Sequence, residues 1–212
     1  MLADAVTTAE IAGQLRAAGF DLPPPQVAAL AAFLTLLERW NRVYNLTGIR
    51  KPEELVERHL IESLALRPLL SGSPIADVGT GAGLPGLPLA ITEPERQFTL
   101  IESRAKRVRF LRHVVGELKL GNVTIAHERA EHLRVAEPFA TVLARAVAPP
   151  PELLAICARL AAPGGILLLL TAAHLTDVFH ELAPRHGWRT ATGRVGGAAP
   201  LGKASIVLLE RV

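Results

Sequence analysis

Residues 75–89 contain the pattern that most restricts the possible folds. Ile75, Ala76, Asp77 and Val78 make an apolar run of strand length, Gly79, Gly81 and Gly83 follow in alternation, and the segment from Leu84 onward has helical character. This reads as a buried strand, a tight turn and a helix start. Glycine reaches positive φ and carries no Cβ, so a ligand can lie against the backbone where the amides of the next helix point outward. A turn that holds nothing is the blander alternative. Isolated glycines are ordinary punctuation, whereas three in alternation behind a strand are not.

Two cofactor classes use such a loop. Gly81, Gly83 and Gly86 satisfy G-x-G-x-x-G, and Glu102 follows at the distance of a ribose contact, which keeps a dinucleotide reading open. Asp77, two residues before the first glycine, instead gives D-x-G-x-G-x-G, which resembles the first motif of class I S-adenosylmethionine methyltransferases. That resemblance implies that the loop takes the methionine end of S-adenosyl-L-methionine and that Glu102, closing the next strand, holds the ribose hydroxyls.

Upstream of the loop the periodicity is helical. Thr7-Thr8-Ala9-Glu10 forms a capping-box pattern, and the helix over 11–18 runs out at Gly19. After Pro23-Pro24-Pro25, apolar residues recur at helical spacing over 26–45 (Val27, Leu30, Leu34, Leu37). Pro52 suits the first position of a third helix reaching about residue 70. Downstream, strands are expected over 75–78, 98–101, 123–126, 141–144 and 165–171, with helices near 85–92, 104–119, 150–161 and 175–185. Such alternation implies right-handed crossovers and a mostly parallel sheet. Segments 190–194 and 205–210 would close it as an antiparallel hairpin. The expected fold is therefore α/β and Rossmann-like, with a helical extension over 1–72 packed on a cofactor-binding domain over 73–212. A dehydrogenase would usually continue into a substrate domain, which has no room after Val212.

With 212 residues, half of them apolar, the chain can bury a sizeable core. One cysteine, Cys157, excludes an internal disulfide framework and fits a reducing cytosol. Asp4 and Glu10 precede any apolar run, unlike a secretory signal, and no apolar stretch suits a membrane span. The expectation is a soluble, cytoplasmic monomer. A formal charge of +3 tilts towards a polyanionic partner without establishing one.

Four further stretches sharpen the reading: Trp40-Asn41-Arg42-Val43-Tyr44-Asn45-Leu46-Thr47, the His59-Leu60-Ile61-Glu62-Ser63-Leu64 segment, the glycine loop through Gly86, and Ala144-Arg145-Ala146-Val147-Ala148-Pro149. Together they resemble the bacterial small-subunit ribosomal RNA guanine-N7 methyltransferase family, also called glucose-inhibited division protein B, from about Phe33 to Gly165. The resemblance implies a guanine of 16S ribosomal RNA as the methyl acceptor and the RNA or the 30S subunit as partner. It departs at Glu62, where the family more commonly has aspartate, and in the first fifteen residues, which carry no family signature. His59 and Glu62, at i and i+3, lack the remaining ligands of a metal centre and the other histidines show no metal spacing, so no metal is expected.

The resemblance places Asp77, Gly79, Gly81, Gly83, Leu84, Glu102, the pair Ala130 and Glu131, and Arg145 at the cofactor. From chemistry alone, Arg145 at the end of the fourth strand can hydrogen-bond guanine O6, a phosphate or the cofactor, and is the candidate catalytic residue. Asn41, Tyr44, Asn45, His59, Arg107 and Arg109 are the candidate RNA contacts. Trp40 and Tyr44, four apart, present either a stacking platform or a piece of core. Arg104, Lys106, Arg107, Arg109, Arg112 and Lys119 form a basic helix face that suits phosphates or plain solvation, and Arg50, Lys51 and Arg58 could extend it. The residues after the fourth strand lack the Asn/Asp-Pro-Pro-aromatic motif of exocyclic amine methylation, and Cys157 lacks the setting of a pyrimidine nucleophile. Both absences point to ring-nitrogen or oxygen chemistry. The rivals are a methyltransferase of small molecules or proteins, a non-catalytic RNA-binding module and a nicotinamide-dependent reductase.

Overall fold

In a computed structural model, residues 6–49, 52–145, 147–191 and 204–212 are described. The expected positions Arg50, Lys51, Ala146 and 192–194 lie outside them. Thr7 opens helix α1 (Thr8–Ala17) as its N-cap: its hydroxyl accepts from the Glu10 amide at 3.2 Å, and the Glu10 carboxylate accepts from the Thr7 amide at 2.8 Å. The capping box is therefore formed as expected. Helix α2 (Pro24–Tyr44) ends at Asn45, which takes the left-handed conformation at φ 48°. The third helix departs from expectation. It starts as α3 (Pro52–Leu55), widens into a π-helical segment (Val56–Ile61), and closes as α4 (Glu62–Leu64), well short of residue 70.

Seven strands form one sheet: β1 (Ile75–Val78), β2 (Phe98–Ile101), β3 (Val123–Ala126), β4 (Phe139–Arg145), β5 (Ala161–Ala172), β6 (Trp188–Thr190) and β7 (Ala204–Arg211). Their order is β3-β2-β1-β4-β5-β7-β6, with the first five parallel and β7 antiparallel to both β5 and β6. This is the expected parallel sheet with a terminal antiparallel hairpin. β6 begins two residues early because Gly187, at φ 72°, ends the preceding 3-10 turn and turns the chain directly into the sheet. Trp188 is then buried, donating its indole N–H to the Leu154 carbonyl at 3.0 Å.

The crossover helices α5 (Gly86–Thr92), α6 (Ala105–Glu117), α7 (Pro150–Leu160) and α8 (Thr176–Leu182) cover both faces. On one face Ala76, Val78, Val142, Ala144 and Leu167 pack against Leu153, Leu160 and Phe179 of α7 and α8. On the other, Ile75, Leu143 and Leu168 pack against Leu66, Leu69 and Leu89. A third cluster joins Ile11, Leu15, Leu30, Phe33 and Leu37 of the N-terminal helices to Leu87 of α5 and Phe110 and Leu111 of α6. The N-terminal helices and the crossover helices α5 and α6 thus share one continuous piece of core on that side.

In an open parallel sheet, ligands bind outside the carboxyl ends of the strands where the strand order reverses. Here that point lies between β1 and β4.

Candidate active site at the carboxyl edge of the sheet

The loop after β1 holds Gly79, Gly81 and Gly83 at φ 62°, 60° and 82°, the conformation their sequence position anticipates. A Cβ on Gly79 would meet Val147 at 2.5 Å, so the loop fits only without a side chain there. Asp77 lies under the loop. Its Oδ2 accepts from the Thr80 hydroxyl at 2.5 Å and from the Gly86 amide at 2.8 Å, tying the turn to the first residue of α5. Burial pushes this carboxyl up to about 7, although both hydrogen bonds pull it down.

A cavity of about 640 Å³ opens over the loop. Of the residues singled out in the sequence, Gly79, Gly81, Leu84, Glu102, Ala130, Glu131, Arg145, His59 and Arg107 line it. Asp77 and Gly83 do not: they shape the loop from beneath, a Cβ at Gly83 running into Leu87. Asn41, Tyr44, Asn45 and Arg109 also lie outside the lining.

Glu102 directly follows β2 and is buried. Its Oε1 accepts from the Arg104 amide at 2.8 Å, while its Oε2 accepts from the Gly81 amide at 3.1 Å and from Arg107 at 3.3 Å. These bonds aim the carboxylate at the cavity and connect it to the glycine loop. Across the cavity, Arg145 donates through Nη2 to Glu62 Oε2 at 2.8 Å and through Nη1 to the Arg58 carbonyl at 3.0 Å. Arg58 adds a second cation to Glu62, with Nη1 3.0 Å from Oε1. Burial raises the Glu62 carboxyl against the pull of these two guanidiniums and lowers Arg145.

His59 sits beside this group, 2% exposed. Burial first, and the Arg145 charge second, push its imidazole down to about 4, so it is neutral at neutral pH. Its Nε2 is 3.4 Å from the Thr47 hydroxyl, its Nδ1 has no hydrogen-bond partner of good geometry among the described residues, and Asn41 accepts from the Thr47 amide at 2.9 Å. Asn41 therefore reaches the cavity through Thr47, a residue that sequence reasoning does not single out although it closes the run at 40–47. Thr80, Arg129, Val147 and Glu152 also line the cavity. Thr80 and Arg129 neighbour singled-out residues, whereas nothing in the sequence marks Glu152.

Trp40 is packed rather than presented. Its ring centroid lies 5.6 Å from that of Phe110 and 5.5 Å from that of His113 on α6, with Tyr44 at 5.3 Å on its outer side. Arg109, Arg112, Lys106 and Lys119 are exposed on or beside α6. Cys157 is buried in α7 with its thiol pushed up, which rules out a ready thiolate. Among the described residues no cluster of three or more His, Cys, Asp or Glu could hold a metal, and no helix is long and apolar enough to cross a membrane.

A glycine loop after β1, an acidic residue just after β2 and a cavity at the switch point fit a nucleoside bound along the sheet edge. The magnesium protoporphyrin IX methyltransferase of Synechocystis PCC 6803, solved with bound S-adenosylmethionine, superposes with a TM-score of 0.60 over 85% of this chain and 97% of its own, at 18% identity. An S-adenosylmethionine-dependent methyltransferase from Aquifex aeolicus gives a TM-score of 0.61 over 79% and 97%, also at 18% identity. The fold is that of a class I S-adenosylmethionine methyltransferase. The sequence model for rRNA small subunit methyltransferase G matches residues 26–186. Proteins of that name from Klebsiella pneumoniae (strain 342) and Xanthomonas campestris pv. campestris (strain B100) are 44% and 42% identical over 170 and 174 residues. These alignments span 80% and 82% of this chain and 82% and 79% of the relatives. The chain belongs to the rRNA small subunit methyltransferase G family.

Proposed function

We propose that the protein transfers the methyl group of S-adenosyl-L-methionine to N7 of a guanine in 16S ribosomal RNA, working in the bacterial cytoplasm on the 30S subunit or its RNA. In this reading residues 1–72 form a helical extension and residues 73–212 the cofactor-binding domain. The carrying observation is that the glycine loop, Glu102 and Arg145, from three neighbouring strands, all face one cavity in a chain of this family.

Each residue has a separate task. Gly79 and Gly81 let the methionine end approach the loop backbone, with Asp77 and Gly83 holding that loop in shape. Glu102 offers carboxylate oxygens to the ribose hydroxyls, Ala130 and Glu131 lie by the adenine, and Leu84 covers the cofactor from the loop. Bound there, the cofactor supplies a sulfonium-borne methyl carbon. The protein then has to hold acceptor, methyl and sulfur in line. N7 of guanine carries a lone pair and no proton, so no general base is needed. The cavity accords with this: Arg145 faces it as a donor, and His59, though neutral, is buried against Thr47 and the Arg58 backbone. Tyr44, Asn45 and Arg109 lie outside the cavity and are assigned to RNA flanking the target.

The test is transfer of labelled methyl to 30S subunits and 16S RNA from cells lacking the protein, with the nucleoside identified by mass spectrometry. Label recovered as 7-methylguanosine at one position is the expected result. Tight cofactor binding with no label in RNA would overturn the acceptor and redirect the search to small molecules or proteins.

A further inference from the structure

A second cavity, of about 360 Å³, adjoins the first along the sheet edge, and Arg145 and Ala148 belong to the walls of both. The first cavity lies over β1 and β2. The second lies over Ala144 of β4, the end of β5 and Ala204 at the start of β7. Its walls are mainly apolar: Leu153, Leu169, Leu170, Leu175 and Phe179. Among its described lining residues the only charged side chains are Arg58 and Arg145, and the only hydroxyl is that of Thr171.

We infer that this second cavity receives the acceptor guanine as an extruded base, with Arg145 donating to its O6. The inference rests on the function proposed above and adds where the base goes and why it is guanine. In-line transfer requires the acceptor to occupy space that touches the cofactor cavity, and the shared wall at Arg145 and Ala148 provides that contact. Apolar side walls suit the two faces of a flipped base. The charged part of the wall is all donor. Of the five guanidinium N–H groups of Arg145, one at Nη1 and one at Nη2 are engaged by Arg58 and Glu62, which fix the plane of the fork; the others meet no hydrogen-bond partner among the described residues and can serve an acceptor. Guanine presents only acceptors on this edge, O6 and N7, whereas adenine would bring its N6 amino group against the guanidinium.

The same wall acts on the product. As the N7 lone pair forms the new bond to the methyl carbon, the methyl–sulfur bond breaks with its pair on sulfur. The sulfonium charge disappears and one positive charge appears on the base; no proton is released. The methylated base is then a cation next to Arg145, and like charges in a poorly solvated cavity repel. Arg145 thus favours the substrate base over its product.

The cavity can be filled from its rim. Ala172→Trp and Leu175→Trp are expected to lower methyl transfer to 30S subunits by roughly 100-fold or more while the calorimetric Kd for S-adenosylmethionine stays within about threefold of wild type. Folded, cofactor-binding Trp variants that still methylate within about fivefold of wild type would overturn the site. Wild-type protein that labels no guanine would instead sink the function reading. Should either variant fail to fold, the wild-type protein decides by crosslinking: 16S fragments carrying 6-thioguanosine at the labelled position should crosslink to the wall of the second cavity, at Arg145 or within residues 169–175. Crosslinks confined to α2 or α6 would place the base elsewhere.

Discussion

Arg145, the last residue of β4, and Glu62, in the short helix α4, lie 83 positions apart and meet at 2.8 Å between Nη2 and Oε2. The carboxylate is 1% exposed and the guanidinium side chain 21% exposed, so each depends on the other to offset lost hydration. Glu62→Ala leaves a partly buried cation without its counter-charge. It should cost about 3 kcal/mol, which is roughly 6–12 °C of melting temperature for a chain of this size. Glu62→Gln keeps an acceptor for Nη2, should melt closer to wild type, and should lower kcat more than it weakens cofactor binding. Equal melting temperatures for the Ala and Gln variants would show that a neutral acceptor at position 62 does nothing to hold Arg145.

Asp77 makes the stability of the protein depend on pH in a defined direction. Its folded-state value is raised to about 7 from 3.8, so over that interval the folded chain binds more proton than the unfolded chain. Its contribution is complete below about 3.8 and is lost as pH rises through about 7. His59, lowered to about 4 from 6.5, has the opposite slope between those values. It is unchanged in an Asp77 variant and cancels in the comparison. The melting temperature of wild type minus that of Asp77→Asn should therefore fall on going from about pH 5 to about pH 8. A difference that stays flat or rises would mean that the carboxylate is ionised at low cost.

Arg107 and Arg109 are two positions apart on α6 and face different surroundings. Arg107 reaches the cavity, with Nη1 3.3 Å from Glu102 and 3.6 Å from where a Cβ on Gly81 would stand. Its guanidinium therefore competes for a carboxylate oxygen that a ribose would use. Arg107→Ala should tighten S-adenosylmethionine binding, by roughly threefold. Arg109 is exposed and outside the cavity lining. Arg109→Glu should leave cofactor affinity unchanged, weaken RNA binding and reduce the slope of log K against log salt by roughly one for each phosphate that is no longer neutralised. Calorimetry for the cofactor and a salt titration for RNA separate the two; identical profiles would refute the division.

The parts of the fold legible in the sequence were those set by local chemistry. Thr7 and Glu10 announce a helix start because the cap closes within three residues. Gly79, Gly81 and Gly83 announce the loop because few other residues reach positive φ behind a strand. The π-helical segment at Val56–Ile61 was not legible: its apolar spacing resembles that of an ordinary helix, and the widening shows only in its hydrogen bonding. β5 runs from Ala161 to Ala172, longer than its apolar core, because β4 pairs with it from Ala161 and β7 as far as Ala172. The Arg145–Glu62 pair and the second cavity are long-range meetings of β4, β5, α4 and α8, for which spacing in the chain carries no signal. Glu62 stood out as the position where the resemblance departs from aspartate, and its partner proved to be an arginine beyond three intervening strands.

The aromatic pair on α2 divides into one structural and one surface residue, and the difference is measurable. Trp40 fills the angle between α2 and α6 against Phe110 and His113, at 5.6 Å and 5.5 Å between centroids, so removing its ring opens a void in the cluster that joins the helical extension to the sheet domain. A fully buried tryptophan would cost about 3–5 kcal/mol, and because Trp40 is only partly buried Trp40→Ala should cost about 2–3 kcal/mol in denaturant unfolding. Tyr44 keeps 38% of its surface exposed on the outer side of Trp40. Tyr44→Ala should cost under about 1 kcal/mol, and base stacking worth about 1–3 kcal/mol would appear as a higher KM for 30S subunits at unchanged cofactor affinity. Tyr44→Phe keeps the ring and should restore that KM. A Tyr44→Ala enzyme with wild-type KM would remove Tyr44 from the RNA contacts, and a Trp40→Ala protein as stable as wild type would remove Trp40 from the core.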